Sequence, residues 1–300
     1  MWLTFIIISA LFLGFYDTCK KYSVKENAVL AVMTISSAAS LIVFLPFLYQ
    51  SVTGGSTFNG TIFEIPAFDS GSQPYIILKS IIVQSSWLCT FFAMKHLPLS
   101  IVSPVRSSAP AWTLFGAVFL LGEHLNMWQW VGVIIIIICL FLYGFAGKKE
   151  GINFTHNKFV FFLFLGTLLG AISALYDKYL IKSLMINKIE IQAWFSFYQF
   201  VMAIILAAVI WLPNRKKTDK FVWRITIPLT GIFLTLADFM YFYGLSCDGA
   251  LIAVVSVVRR SNVIISFTAG ALLFHEKNIK QKALILCGVL LGVCILYFPK

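Results

Sequence analysis

Two segments of the sequence carry arginines in the same register. The segment "VSPVRSSAPAWTLFGAVFLLGEH" at 102–124 aligns without a gap on "VSVVRRSNVIISFTAGALLFHEK" at 255–277. Arg106 meets Arg259 in this alignment, and Arg260 follows without a basic counterpart in the first segment. A planar guanidinium binds carboxylate or phosphate through two parallel hydrogen bonds. The pattern therefore predicts anion binding by Arg106 and Arg259.

Hydroxyl groups flank both arginines at helical spacing. Positions i, i+3, i+7 and i+10 lie on one face of a helix. The two faces are Ser103, Arg106, Pro110 and Thr113 in the first segment, and Ser256, Arg259, Val263 and Ser266 in the second. Ser103 and Ser256 are therefore candidate binding residues beside the guanidinium groups.

Three aspartates also lie in apolar segments. The pair Tyr16-Asp17 recurs as Tyr176-Asp177, and Asp238 lies well inside an apolar run. These carboxylates either pair permanently with arginines and fix the structure, or release and restore the arginines as a ligand binds. Asp238 is a partner of Arg260 or a protonatable coupling group. The aromatic candidates for stacking on a ligand, with packing as their alternative, are Trp87, Tyr176 and Tyr241.

Composition identifies the surroundings of these charges. Of 300 residues, 60% are hydrophobic and 12% are charged, whereas soluble domains are about 45–50% apolar and about 25% charged. The chain is therefore an all-α integral membrane protein. An arginine at the centre of a membrane span costs about 2.5–3.5 kcal/mol, so it needs water, a carboxylate or an anionic ligand. Ten apolar runs of about 20 residues are long enough to span a bilayer: 2–23, 28–50, 75–94, 98–121, 127–147, 159–182, 191–212, 225–245, 250–273 and 281–299.

Several classes of function find no support. The six cysteines show no Cys-x-x-Cys spacing, and the four histidines are too scattered to bind a metal. No nucleophile with a base and no glycine-rich phosphate loop is present, so we expect no enzyme, no catalytic residue, no metal and no other cofactor. The net charge of +11 comes mostly from loops, where topology explains it. The expected partners are a small-molecule substrate and membrane lipid, without nucleic acid; a homodimer is left open.

Loop charges predict the orientation in the membrane. Four lysines, Lys178, Lys182, Lys188 and Lys300, fall on one side. Fifteen basic residues fall on the other: Lys20, Lys21, Lys25, Lys95, Lys148, Lys149, Lys158, Arg215, Lys216, Lys217, Lys220, Arg224, Lys277, Lys280 and Lys282. Because cytoplasmic loops are enriched in Lys and Arg, we expect both termini outside a plasma or inner membrane. Of the sequons at Asn59 and Asn153, only Asn59 would then be glycosylated.

The repeated segments predict the architecture. Each half of the chain holds five predicted spans, and an odd number of spans turns the second half upside down relative to the first. We expect two five-helix repeats, residues 1–150 and 151–300, with inverted topology. The inversion brings Arg106 and Arg259 toward the middle of the bilayer from opposite sides.

Two further segments resemble a known family. "FLLGEHLNMWQWVGVIIIIICLFLYG" is similar to the Leu-Gly-Glu and following span of EamA-like members of the drug/metabolite transporter superfamily, and "LLFHEKNIKQKALILCGVLLGVCILY" resembles its second copy. The resemblance implies ten helices in two inverted halves. It also implies a cavity lined mainly by spans one, three, four, six, eight and nine. This chain departs from the family in having His275 before Glu276 and in its predicted outside termini.

These observations predict a secondary active transporter that moves a small anionic or zwitterionic metabolite by alternating access. Organic phosphates, nucleotide sugars and carboxylates are the candidate substrates. One alternative is export of amino acids or of hydrophobic or cationic compounds, with Asp238 as the charge partner. Another is a membrane-embedded enzyme acting on lipid-linked phosphates, and a third is a sensor or scaffold that transports nothing.

Overall fold

The fold is built from helices that are longer and more apolar than those of most soluble domains. A computed structural model describes residues 2–61, 63–109, 111–113, 126–148, 156–247, 255, 258–259, 261–273 and 278–295. Its helices are α1 Trp2–Val24, α2 Val29–Thr53, α3 Gln73–His96, α4 Leu99–Ser107, α5 Met127–Lys148, α6 Lys158–Lys178, α7 Lys188–Leu206, α8 Thr226–Ser246, α9 Asn262–Leu273 and α10 Ile279–Ile295. A π-helical turn, Tyr179–Ser183, continues α6, and Ala207–Trp211 and Leu212–Asn214 continue α7.

Polar residues fix where several helices begin and end. The Asn157 side chain accepts a hydrogen bond from the backbone nitrogen of Phe159 at the start of α6. Asn187 caps α7 in the same way through the backbone nitrogens of Ile189 and Glu190. Such caps satisfy donors that have no partner within the helix. Gly54 ends α2 with φ of 68°, a left-handed conformation that glycine adopts without steric cost.

The helices expose many apolar side chains, as expected of helices that contact lipid. On α1, the exposed residues Leu3, Ile7, Leu11 and Phe15 follow one another at intervals of four, so they form one stripe along the helix. Among the described residues, six helices are long and apolar enough to cross a membrane. They are Trp2–Val24, Val29–Thr53, Gln73–His96, Lys158–Ile181, Lys188–Asn214 and Thr226–Ser246. The all-α membrane fold is thus confirmed, and the exact count of ten spans stays a prediction.

The pairing of helices agrees with an internal repeat. Helix α1 packs on α8 and α9, while α6 packs on α3 and α4. Helix α2 packs on α7 and α8, while α7 packs on α2 and α3, and α5 packs on α10. Exchanging the first five helices for the last five therefore converts each of these pairings into itself or into another of them. Two five-helix repeats would produce this pattern; the division at residue 150 and the inverted topology stay predictions.

Two of the lysines assigned to loops are buried inside helices. Lys20 lies in α1, and Lys282 lies in α10, where its Nζ donates to Ser100 Oγ at 2.8 Å. The sequence assignment was wrong for both because each lysine lies near the end of an apolar run, where hydropathy does not locate the helix boundary. The remaining balance of thirteen basic residues against four still favours the predicted orientation.

Candidate substrate-binding cavity

One cavity lies among the helices and holds most of the charges that the sequence predicted. It has a volume of about 190 Å³. Residues of eight helices line it: α1, α2, α3, α4, α6, α7, α8 and α9. The six spans implied by the family resemblance all contribute, and α2 and α7 contribute as well. Six of the ten candidate residues line it: Trp87, Arg106, Asp177, Asp238, Tyr241 and Arg259.

Arg106 enters the cavity from the end of α4 and forms an ion pair with Asp17 of α1. Asp17 is only 1% exposed and does not itself line the cavity. Its Oδ2 also accepts hydrogen bonds from Asn262 Nδ2 at 3.0 Å and Ser266 Oγ at 3.2 Å, both on α9. Asp17 therefore joins α1, α4 and α9, and it orients the guanidinium that faces the cavity.

Arg259 forms an ion pair with Asp238 of α8. Its guanidinium carbon lies 4.0 Å from the centre of the Tyr241 ring, close enough for a cation–π interaction. The two roles predicted for Asp238, partner of Arg260 or protonatable coupling group, did not include this pair with Arg259. Arg260 lies outside the described residues. Both predicted arginines thus line one cavity, and each has its own carboxylate.

A third ion pair was missed by the sequence analysis. Lys79 of α3 pairs with Asp177 of α6, and both residues line the cavity. The Lys79 ammonium also lies 5.0 Å from the ring centre of Phe195 and 4.6 Å from that of Phe242. The available signal was a single lysine in the otherwise uncharged stretch from Ser70 to Met94. A charged residue in a membrane span is a candidate functional residue, because placing its charge in the bilayer is energetically unfavourable.

Lys20 adds a fourth basic side chain to the cavity wall. Its side chain is buried, its Nζ donates to Tyr16 Oη at 3.1 Å, and it lies 3.7 Å from the ring centre of Phe91. Among the described residues, no carboxylate oxygen lies within 4.0 Å of this nitrogen. In its protonated form Lys20 therefore gives the cavity a positive charge beyond the three ion pairs, which an anionic group would neutralise.

The remaining candidate residues lie elsewhere. Tyr176 directly precedes Asp177 and points about 100° away from it around α6; it donates a hydrogen bond to the Tyr75 carbonyl oxygen at 3.3 Å and does not line the cavity. Ser103 is buried on α4 away from the cavity lining. Ser256 and Pro110 lie outside the described residues. The predicted hydroxyl stripe thus contributes to the surroundings of Asp17 through Ser266 rather than to the lining.

Comparison with known proteins indicates a membrane transporter of small substrates. Residues 1–145 match the EamA-like transporter family, which confirms the resemblance inferred from the sequence over that range. No curated protein matches the chain. One solved crystal structure superposes with a TM-score of 0.63 over 98% of this chain and 96% of the other, at 14% sequence identity. At that identity the structural likeness supports the fold but gives no information about the substrate.

Proposed function

We propose that this chain, whose residues 1–145 belong to the EamA-like transporter family, is a secondary active transporter of a small anionic or zwitterionic metabolite. The family match supports transport of small substrates across a membrane over a membrane-embedded enzyme. The observation that carries the substrate class is the excess of basic side chains over carboxylates in the lining of one cavity, which has Lys20, Lys79, Arg106 and Arg259 but only Asp177 and Asp238. Three cations have carboxylate partners there, and Lys20 has none among the described residues.

The ion pairs suggest how binding is linked to movement. A carboxylate or phosphate entering the cavity competes with Asp17 for Arg106 and with Asp238 for Arg259, because the guanidinium N–H groups that pair with these aspartates also bind ligand carboxylate and phosphate. When the ligand takes Arg106, the connection between α1 and α4 through Asp17 weakens. When it leaves, Asp17 and Asp238 recover their partners. Ligand and carboxylates thus alternate on the arginines, which favours a different helix arrangement with and without substrate.

The exposure of the Asp238 side chain supports a zwitterionic substrate. Its side chain is 27% exposed, compared with 2% for Asp17 and 12% for Asp177. It is therefore the carboxylate most accessible to an ammonium group of a ligand. The same observation favours the second candidate, export of amino acids or cationic compounds with Asp238 as the charge partner.

A ligand screen on the purified protein separates the two candidates. Organic phosphates, nucleotide sugars, carboxylates, amino acids and organic cations are tested for an increase in melting temperature. Because a ligand that binds only the folded state stabilises it, we expect anions or zwitterions to raise the melting temperature and Arg106→Ala and Arg259→Ala to abolish the increase. Stabilisation by amino acids or cations that both variants retain would establish the second candidate instead.

A further inference from the structure

One part of the cavity wall is polar but uncharged. Helices α2 and α7 pack against each other and contribute Ser37 and Ser40 on one side, and Gln192, Ser196 and Gln199 on the other. The three α7 residues are spaced i, i+4 and i+7, so they share one face of the helix. No charged residue of either helix lines the cavity. This α2–α7 wall therefore differs from the charged remainder of the lining.

Several polar atoms of the α2–α7 wall have no hydrogen-bond partner within the described part of the chain. Gln192 is 3% exposed, and neither its Nε2 nor its Oε1 has a partner. The hydroxyl of the buried Ser37 is also without one. Gln199 donates from Nε2 to the Ser80 carbonyl oxygen at 2.9 Å, which leaves its Oε1 as an acceptor without a donor. Buried side-chain amides with structural roles are almost always hydrogen-bonded.

The wall offers both donors and acceptors at one place. Gln192 supplies an amide donor and an acceptor, Ser37 supplies a hydroxyl, and Gln199 supplies an acceptor held in place by Ser80. Hydroxyl groups and amides match such a surface because each can donate and accept. A hydrocarbon chain would leave the same atoms buried and unpaired, which is unfavourable.

We propose that the α2–α7 wall is a hydrogen-bonding subsite for the uncharged part of the substrate. The inference rests on the proposed function and narrows its substrate class to organic anions that carry hydroxyl or amide groups. The charged group of the ligand binds near Lys20 and the arginines, and its hydroxylated part binds Gln192, Gln199 and Ser37. The subsite adjoins the third ion pair, because α7 packs on α3 and Phe195 of α7 lies beside the Lys79 ammonium.

Ligand pairs of equal charge test this subsite. Dissociation constants are measured by calorimetry on the protein in lipid nanodiscs for glycerol 3-phosphate against propyl phosphate, and for gluconate against hexanoate. We expect the hydroxylated member of at least one pair to bind about tenfold more tightly, because two hydrogen bonds of ordinary strength correspond to about that ratio. Gln192→Leu should bring the hydroxylated member to the affinity of its partner.

Gln84 provides a matched control. It is a buried glutamine of α3 whose amide atoms also lack partners within the described residues, but it does not line the cavity. Gln84→Leu should preserve the preference for the hydroxylated member. Equal binding of both members of each pair to the wild-type protein would overturn the subsite while leaving the anion transporter in place. Binding of neither member of either pair would overturn the proposed function, and the subsite with it.

Discussion

At the scale of single residues, the charges in apolar spans were predictable and their partners were not. Arg106, Arg259 and Asp238 stand out in the sequence because each carries a charge where lipid or packed helices surround it. Which carboxylate meets which cation depends on how the helices pack, and this pairing joins residues 89 positions apart for Arg106 and Asp17. A repeat alignment carries no information on such contacts. Lys20 was missed as a cavity residue because it lies next to Lys21, at the end of a hydrophobic run.

The Lys20→Met variant should have opposite effects on the stability of the ligand-free protein and on its binding of anions. Methionine keeps most of the volume and removes a buried ammonium that has no carboxylate partner among the described residues, so the protein without ligand should melt at a higher temperature. Stabilisation by the anions found in the screen should be lost in the same variant. Lys282→Met alters an equally buried lysine outside the cavity lining and should leave the response to anions intact. Unchanged anion binding by Lys20→Met would remove the main support for an anionic substrate.

Asp17→Asn should destabilise the protein strongly. The change leaves Arg106 without its carboxylate and replaces an acceptor used by Asn262 and Ser266. Removing one partner of a buried ion pair typically costs about 3–5 kcal/mol. Asp219→Asn is the control, because the Asp219 side chain in the Lys95–Asp219 pair is 46% exposed and exposed pairs contribute about 0–1 kcal/mol. Comparable melting temperatures for the two variants would contradict the role given to Asp17.

At the scale of helices, the sequence predicted where the spans lie better than it predicted which of them line the cavity. Hydropathy located α2 and α7, but nothing in their composition distinguished them as lining helices. Their polar residues are serines and glutamines, which disturb an apolar run far less than an arginine does. The i, i+4, i+7 spacing of Gln192, Ser196 and Gln199 was the available signal.

The contact between α2 and α8 depends on a glycine. A Cβ added at Gly231 would lie 2.0 Å from the Ser36 carbonyl oxygen and 3.1 Å from Ala39 Cβ. Backbone atoms cannot move aside as a side chain can, so Gly231→Ala should push the helices apart at a cost of about 1–3 kcal/mol. In Gly170→Ala the new Cβ would meet only Ser86 Oγ at 3.6 Å, an ordinary contact. We expect a clearly lower melting temperature for the first variant than for the second; equal values would show that α2 and α8 do not pack this closely.

At the scale of the whole molecule, the loop charges predict orientation and the helix pairing agrees with two repeats. Asn59 is exposed in the connection between α2 and α3 and accepts a hydrogen bond from Gln50 Nε2 at 3.2 Å. With both termini outside, expression in a glycosylating host should modify Asn59, and Asn59→Gln should abolish the resulting mobility shift. Asn153, the sequon predicted on the cytoplasmic side, lies outside the described residues. A shift that persists in Asn59→Gln and disappears in Asn153→Gln would reverse the orientation.

The alignment of the two arginine segments explains why Arg106 and Arg259 could be predicted as a pair. Arginines at matching positions of two repeats point toward one chamber if the repeats face each other, and Arg106 and Arg259 do line a single cavity. The extra cations have no such duplication. Lys20 and Lys79 lie outside the aligned segments, so the repeat alignment could not reveal them and only the packed structure brings them to the site.

Transport by purified protein in sealed proteoliposomes tests the central claim most directly. The anion that most raises the melting temperature in the screen is loaded inside, and uptake of its radiolabelled form is measured for wild type, Arg106→Ala and Arg259→Ala. We expect exchange by the wild type and a loss of at least about tenfold in each variant, corresponding to about 1.4 kcal/mol of ligand binding. Exchange at the wild-type rate in both variants would contradict an anion held by these arginines.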